Sequence, residues 1–308
     1  MSREILESLR DATAFKPKPP DFELAIAHIH AADVGIPHAI DARVLNAMIT
    51  DDEAFTIVIG PPGSGKSSLL AATASEAARR EGPPAALPLK VPVAHHTREI
   101  TADLLVKAIA QSLAYELRGH LSAIDRQKLE NALATTIATS RQSSGLSGSL
   151  SAGPPGLKAV IGAAIGKDLA TLTSNADWQA GGPVQTLLAL RDLAAAHNTR
   201  LVVIFDDTDV WSVGDQEMAA RAGSFFSALR FLLQCPEVSI LVAVQTHWTE
   251  TGTTAEAATR TARREYRELA ERVGARLRVP LPQSRMQARK LMGAVIDRRV
   301  DIALPSDL

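Results

Sequence analysis

A chain of 308 residues with 46% hydrophobic and 22% charged side chains can bury a full core, which excludes a small stapled scaffold and leaves room for one large or two ordinary domains. The formal net charge of -1 gives no global attraction to nucleic acid or anionic lipid, so any such contact needs a local patch. A single cysteine, Cys235, excludes an internal disulfide and fits a reducing compartment, and an aromatic content of only 4% points to a largely aliphatic core.

The first ten residues are charged throughout and lack the pattern of a secretory leader. The longest apolar and glycine run, Ala159 to Gly166, is far below the ~20 residues that span a bilayer, so a cytoplasmic protein without membrane insertion is expected. Residues 1–41 read as an arm with the proline cluster Lys16 to Pro20, followed by a helix from Phe22 to His30. A second helix, Ala42 to Ile49, opens the main domain, 42–282.

The β-prone run Phe55 to Ile59 leads into Gly60-Pro61-Pro62-Gly63-Ser64-Gly65-Lys66-Ser67-Ser68, with a helix expected over Ser67 to Arg80. This is the pattern of a phosphate-binding loop. Its glycines let backbone N–H groups turn inward, and the helix start adds its positive dipole end to that anion nest. Lys66 would reach the β- and γ-phosphates, and the Ser67 hydroxyl would hold Mg²⁺.

A second strand, Leu87 to Val93, carries prolines and belongs near a sheet edge. His95 and His96 follow it without ligand-spaced neighbours, which speaks against a metal site. Helices are expected over Ile100 to Leu117 and Ile124 to Ile137. Residues 140–166, rich in Ser and Gly and then apolar from Leu157, read as an insertion: either a mobile loop open to a partner or a surface segment with no task. Regular alternation returns with a helix over Val184 to His197.

Leu201 to Phe205 is a continuous apolar run closed by Asp206-Asp207, as a central parallel strand covered on both faces requires. Mg²⁺ keeps most of its waters and needs few protein oxygens, so Asp206 at this strand end is the candidate metal partner beside Ser67. Asp207 is the candidate base for the attacking water. A helix over Gly223 to Leu233, a strand over Val238 to Val244 ending at Gln245-Thr246, a charged helix over Ala255 to Val273 and a fifth strand at Arg276 to Leu281 complete the domain. Residues 283–308 begin a further helix.

Gly60 to Ser67, Leu201 to Asp207 and Gln245-Thr246 resemble the Walker A, Walker B and sensor-1 elements of AAA+ and STAND-like P-loop ATPases, with the helicase-loader and origin-recognition branch the nearest. The resemblance implies a three-layer αβα P-loop core with a parallel sheet ordered 5-1-4-3-2. It also implies N-terminal helices and a helical lid, here short or truncated. Gln245 and Thr246 would sense the γ-phosphate. The usual catalytic Glu is replaced by Asp207, which makes slow, switch-like turnover as plausible as a fast motor.

Between Arg260 and Arg299 there are twelve basic and four acidic residues. The resemblance makes Arg260, Arg263, Arg264 and Arg267 candidate arginine fingers for a neighbouring subunit. Interleaved with Glu265, Glu268 and Glu271, they also read as a salt-bridged face, or as a basic patch for nucleic acid. The expected activity is Mg²⁺-dependent ATP hydrolysis to ADP and phosphate, driving assembly or a switch. It belongs either to a nucleic-acid-associated or defence-type ATPase or to a STAND-like signalling protein with a protein partner. A small-molecule kinase fits the polar fourth strand less well.

Overall fold

The computed structural model describes residues 40–50, 55–80, 85–93, 99–117, 120–127, 155–174, 180–206, 208, 211, 215–235, 238–250, 256–282 and 284–303, with backbone alone at 155–161, 174 and 295–303. The expected helix at Phe22 to His30, the pair His95 and His96, most of the helix at Ile124 to Ile137, and residues 140–154 lie outside the described residues.

Five strands form one parallel sheet: β1 (Phe55–Gly60), β2 (Ala85–Lys90), β3 (Thr199–Phe205), β4 (Ser239–Gln245) and β5 (Ala275–Arg278). Their order, β2-β3-β4-β1-β5, is the expected one read from the other edge. All four ladders are parallel. Every residue of β1, β3 and β4 is buried, as their unbroken apolar runs demand of strands covered on both faces. Pro88 is tolerated because β2 is an edge strand.

The helices divide between two faces because strand side chains alternate. Ile57, Val203 and Val242 point into one cluster, whereas Val58, Ile204 and Leu241 point into the other. The second face is covered by α1 (Ile40–Ile49) and α2 (Lys66–Arg79), through Val44, Met48, Leu69 and Leu70. The first carries α3 (Ala102–Leu117), α4 (Pro155–Ser174), α5 (Gly182–Ala195), α6 (Gln216–Leu232) and α7 (Ala257–Ala270). A last helix, α8 (Arg285–Ala303), follows β5.

The second and fifth strands are shifted toward the N-terminus, to Ala85–Lys90 and Ala275–Arg278, and two helices differ more from their sequence reading. The apolar half of the expected 140–166 insertion is helical, and α4 buries Ile165, Leu169 and Ala170 in the main core. Helix α6 starts two turns before Gly223, capped by Asp215, whose Oδ1 accepts from Glu217 N at 2.9 Å and Met218 N at 3.1 Å. Gly223 lies inside it as a contact point, since a Cβ there would stand 3.4 Å from Ala262 Cα on α7.

The few aromatic residues concentrate on this side of the sheet. Phe226 meets Trp248 at 6.0 Å and Tyr266 at 5.4 Å between ring centres, which ties α6 to α7 and to the 3₁₀ turn Thr246–Thr249. Each such pair contributes about 0.5–1.5 kcal/mol beyond its burial.

Candidate nucleotide site

Strand β1 delivers Gly60 to the top of the sheet, and helix α2 begins six residues later at Lys66. Between them the chain reverses through Gly63 at φ 73° and Gly65 at φ 88°, left-handed conformations that glycine adopts without penalty. Gly65 caps α2 with no side-chain hydrogen bond, so the first-turn N–H groups have no side-chain cap and face the loop. A Cβ at Gly60 would stand 2.3 Å from Ser64 Oγ and 3.3 Å from Ser64 Cβ, so a side chain there would displace the Ser64 hydroxyl from the loop. That hydroxyl is buried without a hydrogen-bond partner. A glycine-lined cradle with an orphaned donor and open helix N–H groups fits a phosphate chain.

Lys66 is only 2% exposed and folds over the loop, its Nζ donating to the carbonyls of Gly60 at 3.1 Å and Pro61 at 3.0 Å. Ser67 Oγ donates to Asp206 Oδ1 at 3.0 Å across 139 residues of sequence. Asp206 is buried at the end of β3. Two hard oxygen donors side by side suit Mg²⁺, which takes few protein ligands and completes its shell with phosphate and water. Pro61, Pro62 and Ser68 complete the loop and the first turn of α2.

Lys90 was not legible as part of this site. It ends the edge strand β2, in register with Ile204, and its Nζ lies 3.0 Å from Asp206 Oδ2 with both side chains largely buried. Thr208, fully buried, donates from Oγ1 to the Ala243 carbonyl at 2.5 Å and pins the chain just past Asp206 to β4. Asp207, between them, lies outside the described residues.

Gln245 ends β4, buried and in register with Gly60, so the polar end of β4 stands beside the loop. Thr246 opens the 3₁₀ turn, and its carbonyl accepts from Thr249 Oγ1 at 2.7 Å. The four arginines of α7 are not equivalent. Arg263 is turned inward, bonded to the His247 carbonyl and to Glu250, each at 3.1 Å. Arg264 is exposed beside Glu265 and Glu268, which also hold Arg230 of α6, as the salt-bridged reading expects. Arg260 is exposed, and Arg267 borders a separate cavity.

Cys235, at the end of α6, is buried, and burial pushes its thiol up to about 11 against the pull of Arg191. This is a core thiol rather than a nucleophile. No helix among the described residues is long and apolar enough to cross a membrane.

The glycine-rich loop, the buried strand ending in Asp206 and the 5-1-4-3-2 sheet define a P-loop ATPase of the AAA+ type. The family model described as AAA ATPase domain matches residues 40–244, and the chain belongs to that family. No curated protein and no solved structure matches the chain.

Proposed function

We propose that this chain binds ATP with Mg²⁺ and hydrolyses it to ADP and phosphate, using the cycle to drive assembly or a conformational switch. The observation that carries this reading is the buried Asp206 carboxylate, shared between Ser67 under the loop and Lys90 on the neighbouring strand. Bound Mg²⁺ would offset charge on the phosphates, with Ser67 and Asp206 as the residues that hold it. Lys66 exchanges its loop carbonyls for phosphate oxygens. Ser64 and the first N–H groups of α2 hold the phosphate chain, and Gln245 and Thr246 position the attacking water. Asp207 takes the proton from that water.

Self-association fits this reading, with Arg260, Arg263, Arg264 or Arg267 reaching a neighbour's nucleotide. The basic excess of 260–299 favours a nucleic-acid-associated or defence-type role in the cytoplasm. The specific support for a STAND-like switch acting on a protein partner is Asp207 in place of a longer Glu. Phosphate release with Mg²⁺ and with chelator tests the proposal. Release that requires Mg²⁺ is expected, tight MgATP binding without release would favour the slow switch, and absence of binding would reject both.

A further inference from the structure

On the face of the sheet opposite α2, strand β5, helix α7 and the turn after β4 enclose a cavity of about 450 Å³, within the range of small-molecule sites. Its wall reaches Ile59, one residue before the loop, but on the side of β1 that packs toward α7. Arg276 and Arg278 alternate with the buried Ala275 and Leu277, so both guanidinium groups leave β5 on the cavity side. Arg267 adds a third from α7. Arg263 is spent on Glu250 and the His247 carbonyl, whereas these three have no hydrogen bond or ion pair among the described residues.

One neutral group of the cavity points to the same chemistry. Trp248, 1% exposed, contributes only the edge of its ring to the wall. Tyr266, 5% exposed, has no hydrogen-bond partner for its hydroxyl among the described residues. Burial pushes that phenol up to about 12, against the pull of Arg276 and Arg278, so it remains a donor at neutral pH. Unspent capacity here is almost all donor, and the one unpaired carboxylate, Glu271, is exposed at the rim. Guanidinium forks match phosphate oxygens in pairs.

We propose that this cavity is a second anion site, separate from the glycine-rich loop, that takes a phosphorylated small molecule of nucleotide size. Arg267, Arg276 and Arg278 bind its phosphates, with the Tyr266 hydroxyl as the neutral donor beside them. A recess of this volume, walled by β5, α7 and the turn after β4, suits a compact ligand better than a polymer backbone passing over the surface. The site stands whether or not the loop hydrolyses ATP.

Calorimetric titration of inorganic tripolyphosphate, ATP and a single-stranded oligonucleotide into a Lys66→Ala chain tests this with the loop disabled. Saturable binding of tripolyphosphate or ATP is expected, weakened at least tenfold by adding Arg276→Ala and Arg278→Ala, and severalfold by Tyr266→Phe, which keeps the ring and removes the donor. The exposed arginine pair should leave the melting temperature unchanged. Absence of binding by Lys66→Ala, binding indifferent to the arginines, or binding of the oligonucleotide alone would overturn the proposal.

Discussion

Lys90 Nζ stands 3.0 Å from Asp206 Oδ2, so the carboxylate proposed to hold the metal already has a cation on one oxygen and the Ser67 hydroxyl on the other. A buried pair of this kind fixes the Asp206 side chain, and it also places a positive charge where a divalent ion must compete. Lys90→Met should therefore lower the Mg²⁺ concentration for half-maximal nucleotide binding by about tenfold, ~1.4 kcal/mol. Fluorescent-nucleotide binding across a Mg²⁺ series measures this. An unchanged or raised Mg²⁺ requirement would mean that Lys90 supports the metal site instead of restraining it.

The adjacent aspartates should separate by role. Asp206→Asn should remove the Mg²⁺-dependent part of nucleotide affinity. Asp207→Asn should keep binding and lower turnover by about 10²- to 10⁴-fold, the range of a positioned general base. Paired binding and phosphate-release assays distinguish them, and wild-type turnover in Asp207→Asn would place the base elsewhere.

Gly60→Ala and Gly65→Ala test the loop by shape alone. The first puts a methyl 2.3 Å from Ser64 Oγ, and the second forces an L-residue to φ 88°, at a cost of about 1–2 kcal/mol. Both should abolish most nucleotide binding while circular dichroism stays native. Wild-type affinity in both would show that the cradle is not the binding surface.

Stability should fall in alkali. The Cys235 thiol is raised from 9.0 to about 11, and the Tyr266 phenol from 10.0 to about 12, each chiefly by burial. The folded protein thus holds protons that the unfolded chain releases first, so this contribution is complete below about pH 9 and lost as pH climbs toward 12. Urea midpoints from pH 8 to 11 should drop, and the combined Cys235→Ala and Tyr266→Phe variant should flatten that drop. An equal slope in the variant would assign the alkaline loss to other groups.

What could be read before the structure was whatever chemistry keeps local in sequence. Gly60 to Ser68 carries its whole geometry in one stretch, and Leu201 to Asp206 announces a doubly covered strand by its unbroken apolarity. Lys90 carries no such mark, because a lysine closing a proline-bearing edge strand reads as solvated until β2 is set beside β3. The cavity of Trp248, Tyr266, Arg276 and Arg278 was hidden for the same reason, being assembled from a turn, a helix and a strand. Helix α4 was obscured by apolar residues on every side, and the first two turns of α6 by reading Gly223 as a helix start rather than as the contact with Ala262.

The loop before α2 is proposed to hold the phosphates of ATP, with Lys66 as its principal side-chain cation. Lys66 now satisfies itself on two loop carbonyls, and in exchanging them for phosphate oxygens it gains charge-assisted bonds of roughly 1.5–3 kcal/mol each. Calorimetric titration of MgATP into the wild-type chain and into Lys66→Ala tests this most directly, with the loop contribution read as the binding that the variant loses. The wild type should show a saturable site weakened on the order of a hundredfold in Lys66→Ala, and superimposable isotherms for the two chains would place ATP elsewhere.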